Sequence, residues 1–436
     1  MSETRLNVSL AAALVGAREC YVSANPKSLA AHVEATAAMP GGNTRTVLFH
    51  APFPLAMARG QGGRLWDIDG HEYTDLLGEY TAGLYGHSNP IIREAIDAAL
   101  DRGWNLGGHS VMEARLASAI VQRFPSIDMV RFTNSGTEAN LMAVATACAL
   151  TERKKVLVFD GGYHGGVMYF GNGGIPINTP HQWVLGIYND PVSAVALADA
   201  HAGELACILV EPMMGSGGCI PASAAFLQAL RDVATRIGAI LIFDEVMTSR
   251  MSEGGQQKRL GITPDMTSLG KYIGGGMSFG GFGGRADIME RYDPRRSDAI
   301  PHAGTFNNNV LTMAAGHAGL SKIFTADAAD ALFARGEAFR AELNAVSQGG
   351  MQWIGLGSLM CVHFRHGAIE RPMPASAHEA DLRELFFFDM LARGFYLARR
   401  GMIAMSLEIG EAEMGEFVTA VADFVAIYAK LLEQPS

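Results

Sequence analysis

Several things are missing from this sequence, and each absence closes a class of function. No apolar run approaches the ~20 residues of a membrane span, so no transmembrane segment is expected in the 436 residues. The apolar piece at residues 10–17 is short and follows a polar start, which predicts no signal peptide. Lysine and arginine form no cluster and the net charge is −10, which argues against nucleic acid as a partner. Cysteine is scarce: the five at 20, 148, 207, 219 and 361 have neither metal nor redox spacing. They predict reduced, mostly buried thiols, no metal site and a cytoplasmic protein. No Gly-x-Gly-x-x-Gly unit follows an opening strand with an acid about 20 residues on, which excludes a dinucleotide-binding oxidoreductase. There are no repeats and no low-complexity linker.

What is present is a strand–helix rhythm. The length suits two domains, or one with additions. The first 60 residues read as an N-terminal arm with a helix or two. A two-strand pattern follows, with residues 55–58 and 65–68 as strands and 59–63 as the turn. Residues 90–102 carry helical periodicity. From about 130, short apolar runs at 156–159, 208–210 and 240–243 each end in a polar or glycine pair: Asp160-Gly161, Glu211-Pro212 and Asp244-Glu245. Helical stretches such as 224–236 lie between them. Fully apolar short strands separated by helices indicate a buried, mainly parallel sheet in an α/β fold. Ligands on such sheets sit at the carboxyl ends of the strands. The 51 glycines fall in short clusters, which suits tight turns around a ligand. Beyond about 330 the pattern becomes helix, short strands, helix.

Three features carry chemistry. Arg131-Phe132-Thr133-Asn134-Ser135-Gly136-Thr137-Glu138 leads into an apolar helix at 141–150. Small hydroxyl and glycine residues at a helix start form an anion site from free N–H groups and the helix dipole. A plain N-cap by Ser135 or Thr137 is the bland alternative. Asp244 ends an apolar strand, where an acid serves as an ion-pair partner, a metal ligand, a cap or the partner of a protonated heterocyclic nitrogen. Lys271 stands in Ser268-Leu269-Gly270-Lys271-Tyr272-Ile273-Gly274 among small and apolar residues. A lysine there loses hydration, its pKa falls and it becomes a nucleophile for an aldehyde; a snorkelling surface lysine is the alternative. The three together, in this order on an α/β pattern, are far more specific than any one. Tyr163, after another strand, can stack on a flat ring, and Thr305 offers one more hydroxyl to a phosphate.

These segments, with Gly162-Tyr163-His164-Gly165, Glu211-Pro212, Phe243-Asp244-Glu245-Val246, Leu269-Gly270-Lys271 and Gly304-Thr305, resemble class III aminotransferases of fold type I. Glutamate-1-semialdehyde aminomutase belongs to the same group. The resemblance runs from about residue 38 to the C-terminus. It implies a pyridoxal 5′-phosphate enzyme with a mainly parallel seven-stranded sheet in a large domain and a smaller α+β C-terminal domain. Residues 1–70 would form the arm and part of the small domain, 71–330 the large domain, and 331–436 the small one. By resemblance, Lys271 holds the cofactor as a Schiff base, Asp244 binds the pyridine nitrogen, and Tyr163 and Val246 cover its two faces. Ser135, Gly136 and Thr137 bind the phosphate, joined by Thr305 of a second subunit, so a homodimer with shared sites is implied. Glu211 looks like an outer support.

The departures from the aminomutase pattern narrow the expectation. Glu79-Tyr80-Thr81-Ala82-Gly83, Asn307-Asn308-Asn309-Val310 and Ala398-Arg399-Arg400-Gly401 replace that group's segments, and Met39-Pro40-Gly41-Gly42-Asn43-Thr44-Arg45 stands near the N-terminus. Together these resemble the aromatic β-amino-acid aminotransferases. In that subgroup the arginine matching Arg45 takes the substrate carboxylate, and the one matching Arg400 lies where the side chain or second carboxylate goes. The sequence does not separate Arg399 from Arg400 in this role. The expected reaction moves an amino group from a β-phenylalanine-like donor to a keto acid such as 2-oxoglutarate or pyruvate. An aminomutase, another class III amine transaminase, a racemase and a non-catalytic protein are the rivals; the last is expected to lack Lys271.

Overall fold

The computed structural model describes residues 9–433; the first eight residues of the expected arm and the last three of the chain lie outside it. Seven strands form the central sheet: β1 (Met129–Thr133), β2 (Lys155–Phe159), β3 (Gln182–Gly186), β4 (Leu205–Val210), β5 (Ile240–Asp244), β6 (Met266–Gly270) and β7 (Gly280–Gly284). Their spatial order is β1-β7-β6-β5-β4-β2-β3. Only β7 runs against its neighbours, pairing antiparallel with both β6 and β1. The other pairs, β6–β5–β4–β2–β3, are parallel. This is the mainly parallel seven-stranded α/β sheet that the apolar runs and the family resemblance imply.

The sequence explains the burial. Every residue of β4 and β5 is buried, as strands covered by helices on both faces must be. The helix Gly136–Thr151 lies on the sheet through Ala139, Ala143, Val144 and Ala147, whose small side chains let it approach closely. The helix at 224–236 is Ala224–Ile237, capped by Ser223 and ended by Gly238 in the left-handed region at φ 66°. Because six strands share one direction, Thr133, Phe159, Val210, Asp244 and Gly270 all end at the same edge of the sheet.

Two smaller sheets flank this one. Met351–Leu356, Leu359–Phe364 and Met402–Ala404 form a three-stranded antiparallel sheet. It is packed by Ala326–Val346, Ala377–Ala392 and Glu411–Leu432 around Trp353, Phe386, Phe417 and Phe424. The four-stranded sheet joins Met57–Gln61, Arg64–Asp67 and Glu72–Asp75 to Phe395–Tyr396, so the two ends of the chain share one sheet. The expected turn at 59–63 was too wide. The strand continues to Gln61 and the hairpin reverses at Gly62-Gly63, because Gly62 takes the left-handed conformation at φ 53°. The N-terminal arm is two helices, Leu10–Ala24 and Pro26–Thr36, the first held by Tyr21 against Phe388 at 5.1 Å between ring centroids. All five cysteines are free. Among the described residues no helix is long and apolar enough to cross a membrane.

Strand β7, between β6 and β1, reaches the helix start at 136 by backbone contact. A Cβ on Gly280 would lie 2.0 Å from the Ser135 carbonyl oxygen and 2.3 Å from Thr133 Oγ1. Gly280→Ala is expected to cost ~1–3 kcal/mol of stability by forced displacement, whereas Gly203→Ala, with nothing within 4 Å of its Cβ, should be near neutral. Urea denaturation of both variants checks this; equal midpoints would show that the 280–135 contact relaxes freely.

Candidate active site

The sheet edge brings most of the sequence-derived residues together. The chain leaves β1 at Thr133 and turns into the helix at Ser135, whose Oγ accepts the Glu138 N–H at 3.2 Å. Ser135 is therefore the N-cap, and the cap and anion readings coexist: the cap fixes the turn while the first-turn N–H groups of Gly136 and Thr137 remain available. Glu138 closes the turn from the other side, accepting the Asn134 N–H at 2.9 Å. Gly136 has no room for a side chain, since its Cβ would lie 2.8 Å from Val246 Cγ2. Val246 also stands 3.1 Å from the Cβ position of Gly270. One valine thus joins the helix start, the end of β5 and the end of β6.

Asp244 ends β5 buried. Its Oδ2 accepts the Asn140 amide at 2.7 Å and lies 2.8 Å from His164 Nδ1; its Oδ1 accepts the Val246 N–H at 3.0 Å. No arginine or lysine pairs with it among the described residues. Oδ1 has one donor and spare acceptor capacity, which suits a protonated ring nitrogen. Asn140 also donates to the His164 carbonyl at 3.1 Å, locking the pair.

Lys271 begins the turn after β6 in the left-handed conformation, φ 58°. Such strain in a non-glycine residue is typical of a functional position. No hydrogen bond or ion pair engages its amine among the described residues. Burial lowers its pKa to about 8, Asp244 works in the opposite sense, and Arg400 lowers it further. A nucleophilic amine near neutral pH follows.

Tyr163, near enough to Asp244 to feel its charge, leaves 45% of its surface exposed, as a ring meant to cover a ligand would. Its N–H donates to Glu211 Oε1 at 3.0 Å, and the other Glu211 oxygen accepts the Gly215 N–H at 3.0 Å. Glu211 therefore holds two loops, and burial raises its pKa. Thr305 is exposed and no hydrogen bond links it to 135–137 of its own chain. Its loop is hydrogen-bonded to the turn through Asn307, whose Oδ1 accepts the Asn134 amide at 3.0 Å.

The two arginines meet at one ring. Arg45 and Arg400 place their guanidinium carbons 5.4 and 5.3 Å from the Tyr80 centroid. Arg45 is ion-paired with Glu79 at the exposed rim. Arg399 points elsewhere: its Nη2 lies 3.3 Å from Glu384, an acid shared with Arg18. Of the adjacent pair, Arg400 is the one that shares the Tyr80 ring among the described residues.

Sequence reasoning had no role for Asn140, His164, Glu79 or Tyr80. Asn140 carried a usable signal, a lone amide on the apolar face of a helix of small residues. His164 stood in a quoted motif without a partner. Tyr80 carried none, since Gly78, Glu79, Tyr80 and Thr81 all take positive φ, at 51°, 45°, 52° and 84°. No local pattern announces four consecutive left-handed residues.

The residues present fit pyridoxal phosphate. A phosphate suits the 135–137 turn, a pyridinium the spare lone pair of Asp244, the ring the space between Tyr163 and Val246, and an aldehyde the free amine of Lys271.

Comparison with known proteins agrees. The model for the family described as aminotransferase class III matches residues 49–170 and 187–388. The chain is 51% identical over 423 residues to a beta-phenylalanine transaminase of Variovorax paradoxus, covering 96% of this chain and 97% of that one. The crystal structure of a beta-phenylalanine aminotransferase from that organism superposes with a TM-score of 0.96 at 50% identity, over 98% of this chain and 100% of the other. A glutamate-1-semialdehyde 2,1-aminomutase of Sorangium cellulosum is 35% identical over 396 residues, covering 85% and 89%.

The lysine's environment makes a pH-dependent prediction for the cofactor-free protein. Below pH ~8 Lys271 is charged both folded and unfolded, so the folded state bears its full desolvation cost. As pH rises from ~8 towards the ordinary lysine value of ~10.4, the folded form loses the proton first and the cost is relieved. Lys271→Met should therefore gain most over wild type near pH 7, and its advantage should shrink towards pH 10. Chemical denaturation of both apoproteins across this range measures it, and a pH-independent difference would refute the lowered pKa.

Proposed function

The chain belongs to the class III aminotransferases, which makes it a pyridoxal-phosphate-dependent transaminase, and we propose that its donor is a β-amino acid of the β-phenylalanine kind and its acceptor a keto acid such as 2-oxoglutarate or pyruvate. The observation that carries this reading is the pair of guanidiniums on Tyr80, Arg45 and Arg400, the second close enough to Lys271 to lower its pKa. In a β-amino acid the amine lies one carbon farther from the carboxylate than in an α-keto or α-amino acid. One site must therefore hold carboxylates at two distances from the reacting carbon, and two separated arginines provide that. The 51% identity to a beta-phenylalanine transaminase supports the same reading.

When bound, pyridoxal phosphate supplies an aldehyde that condenses with amines and a ring that withdraws the electron pair left by deprotonation. In the proposed assignment the first-turn N–H groups at Gly136 and Thr137 and the Ser135 hydroxyl hold the phosphate. Asp244, oriented by Asn140 and His164, keeps the ring nitrogen protonated. Tyr163 and Val246 cover the two ring faces, and Glu211 fixes the loop that carries Tyr163. Lys271 Nζ is the resting anchor for the aldehyde and, once released by the donor amine, the base at the nitrogen-bearing carbon of the donor. Arg45 exchanges Glu79 for the substrate carboxylate. An aminomutase would complete the reaction on one molecule, so dependence on an added keto acid separates the two readings.

We also read the chain as a cytoplasmic homodimer with shared sites. Thr305 and Phe306, the latter 61% exposed, lie at the surface without engaging their own 135–137 turn, as residues meant for a neighbour would. Activity should fall on dilution together with the dimer in sedimentation; full activity in a monomer would end this assignment.

Asp244→Asn should lower kcat by about a hundredfold or more while KM changes little, since the carboxylate's charge is needed most in the transition state and a neutral amide does not supply it. Steady-state kinetics with a β-amino acid decide it, and a change confined to KM contradicts the role.

Arg45→Ala removes one charge-assisted contact. Loss of such a contact, ~1.5–3 kcal/mol, corresponds to roughly ten- to more than a hundredfold in kcat/KM for β-phenylalanine. The decarboxylated amine should suffer much less. An equal fall for both would make Arg45 a structural residue, and no fall would move the reading to Arg400.

A further inference from the structure

Tyr272 follows Lys271 in the chain, yet it belongs to a second polar group that aminotransfer does not use. It is 1% exposed, with its ring centroid 6.3 Å from that of Tyr85 and 5.3 Å from that of Phe324. Phe324 closes a wide π-type turn, Gly319–Ile323, by donating its N–H to the Gly319 carbonyl at 2.8 Å. Such turns are uncommon and frequently mark functional places. Three polar side chains meet here. Arg123 donates Nη1 to the Leu320 and Phe324 carbonyls at 3.1 and 2.7 Å, and its guanidinium carbon lies 5.6 Å from the Phe324 centroid. The Tyr85 hydroxyl stands so close to Gly319 that a Cβ there would lie 2.5 Å from it. Tyr272 packs on the Phe324 ring itself. Arg250, in the turn Thr248–Met251 after β5, completes the group, since its charge and that of Arg123 act on both phenols.

The group is rich in donors and short of acceptors. Arg250 is 1% exposed; Nη2 donates to the Met405 carbonyl, while Nε and Nη1 are buried without a partner. Arg123 Nη2 and the hydroxyls of Tyr85 and Tyr272 are buried without partners too. The Ser249 hydroxyl lies beside that of Tyr272 and can donate to its oxygen, which leaves the phenol proton to point elsewhere. Every hydrogen-bond partner of the two arginines is a carbonyl oxygen, and neither enters an ion pair among the described residues. Glu245, whose charge also reaches Tyr272, is filled: its oxygens accept from Thr248, the Gln256 N–H and two Gln257 N–H groups at 2.7 to 3.1 Å. Burial raises the pKa of both phenols, so neither ionises to serve as the counter-charge. A guanidinium taken out of water without an opposite charge is strongly unfavourable, and each unmet donor adds to the cost. A water molecule would answer the donors alone. A small anion answers both the donors and the charge.

We propose that a monovalent anion of halide size, with chloride as the natural occupant, is held by the Arg250 guanidinium and the hydroxyls of Tyr85 and Tyr272, beside Arg123 at the Phe324 turn. It would be the buried counterion of an arginine whose field reaches Lys271.

The test makes no assumption about the amino donor. Holoenzyme purified and crystallised in sodium bromide, measured at the bromine absorption edge, should show an anomalous peak between Arg250, Tyr85 and Tyr272. Density there without anomalous signal is water and overturns the proposal, as do bromide peaks at other places only. In solution, melting of the holoenzyme is followed while chloride replaces gluconate at fixed ionic strength. Chloride at about a hundred times its dissociation constant should favour the folded state roughly a hundredfold. Tyr85→Phe removes one donor and little volume, and should weaken chloride about tenfold or more; an unchanged chloride dependence overturns the assignment. Arg250→Met should abolish the response. An equal response in that variant would place the anion elsewhere, at Arg45 or in a general salt effect, and also overturns it. Should Arg250→Met fail to fold, the bromide peak and Tyr85→Phe decide.

Discussion

Asp244 is a carboxylate taken out of water at a strand end with no arginine or lysine beside it, and much of the site is organised to make that tolerable. A buried charge without partners costs several kcal/mol or moves its pKa until it is neutral. Here Asn140, His164 and the Val246 N–H supply three polar contacts, and Lys271 supplies a field from the neighbouring strand. The three contacts come from a helix, a loop and the strand's own turn. The acid therefore ties together the elements that must hold a flat charged ligand. The same isolation keeps one carboxylate oxygen partly free, which a structural ion pair would not have done.

The lysine is governed by the reverse of this logic. Its ammonium is penalised by burial and by the Arg400 charge, and rescued in part by Asp244. The balance suits the two roles proposed for it, as a base at carbon and as the amine that takes an aldehyde. Arg400 thus has an effect beside the carboxylate binding proposed for it: it helps to hold the lysine below its ordinary pKa.

Tyr80 shows how backbone strain serves this arrangement. The four positive-φ residues from Gly78 to Thr81 cost energy in each non-glycine case. They turn the loop so that one phenol ring lies under both Arg45 and Arg400, and its hydroxyl reaches the Val47 carbonyl at 3.3 Å. The N-terminal arm is thereby fastened over a site whose other residues come from the middle and end of the chain.

How much of this was legible beforehand depends on range. Short apolar runs ending in Asp160, Glu211 and Asp244 determined a parallel sheet and the edge where a ligand sits, because strand burial and strand direction are written locally. The hydroxyl–glycine turn at 135–137, the strand-end Asp244 and the glycine-embedded Lys271 pointed to the cofactor only in combination and through the family resemblance, because each alone has a commoner use as a helix cap, an ion-pair partner or a surface lysine. Local pattern misjudged the hairpin at Gly62-Gly63, where one left-handed glycine sets the reversal. Only the tertiary structure decided that Asn140 and His164 converge on Asp244, across 104 and 80 residues of sequence. Only it decided that Arg400 lies over Tyr80 while Arg399 pairs with Glu384, since the two are neighbours in one turn and nothing local says which of them a distant acid will claim. Contacts between distant segments depend on how helices and loops settle on the sheet, and that packing has no signature in any single stretch of sequence.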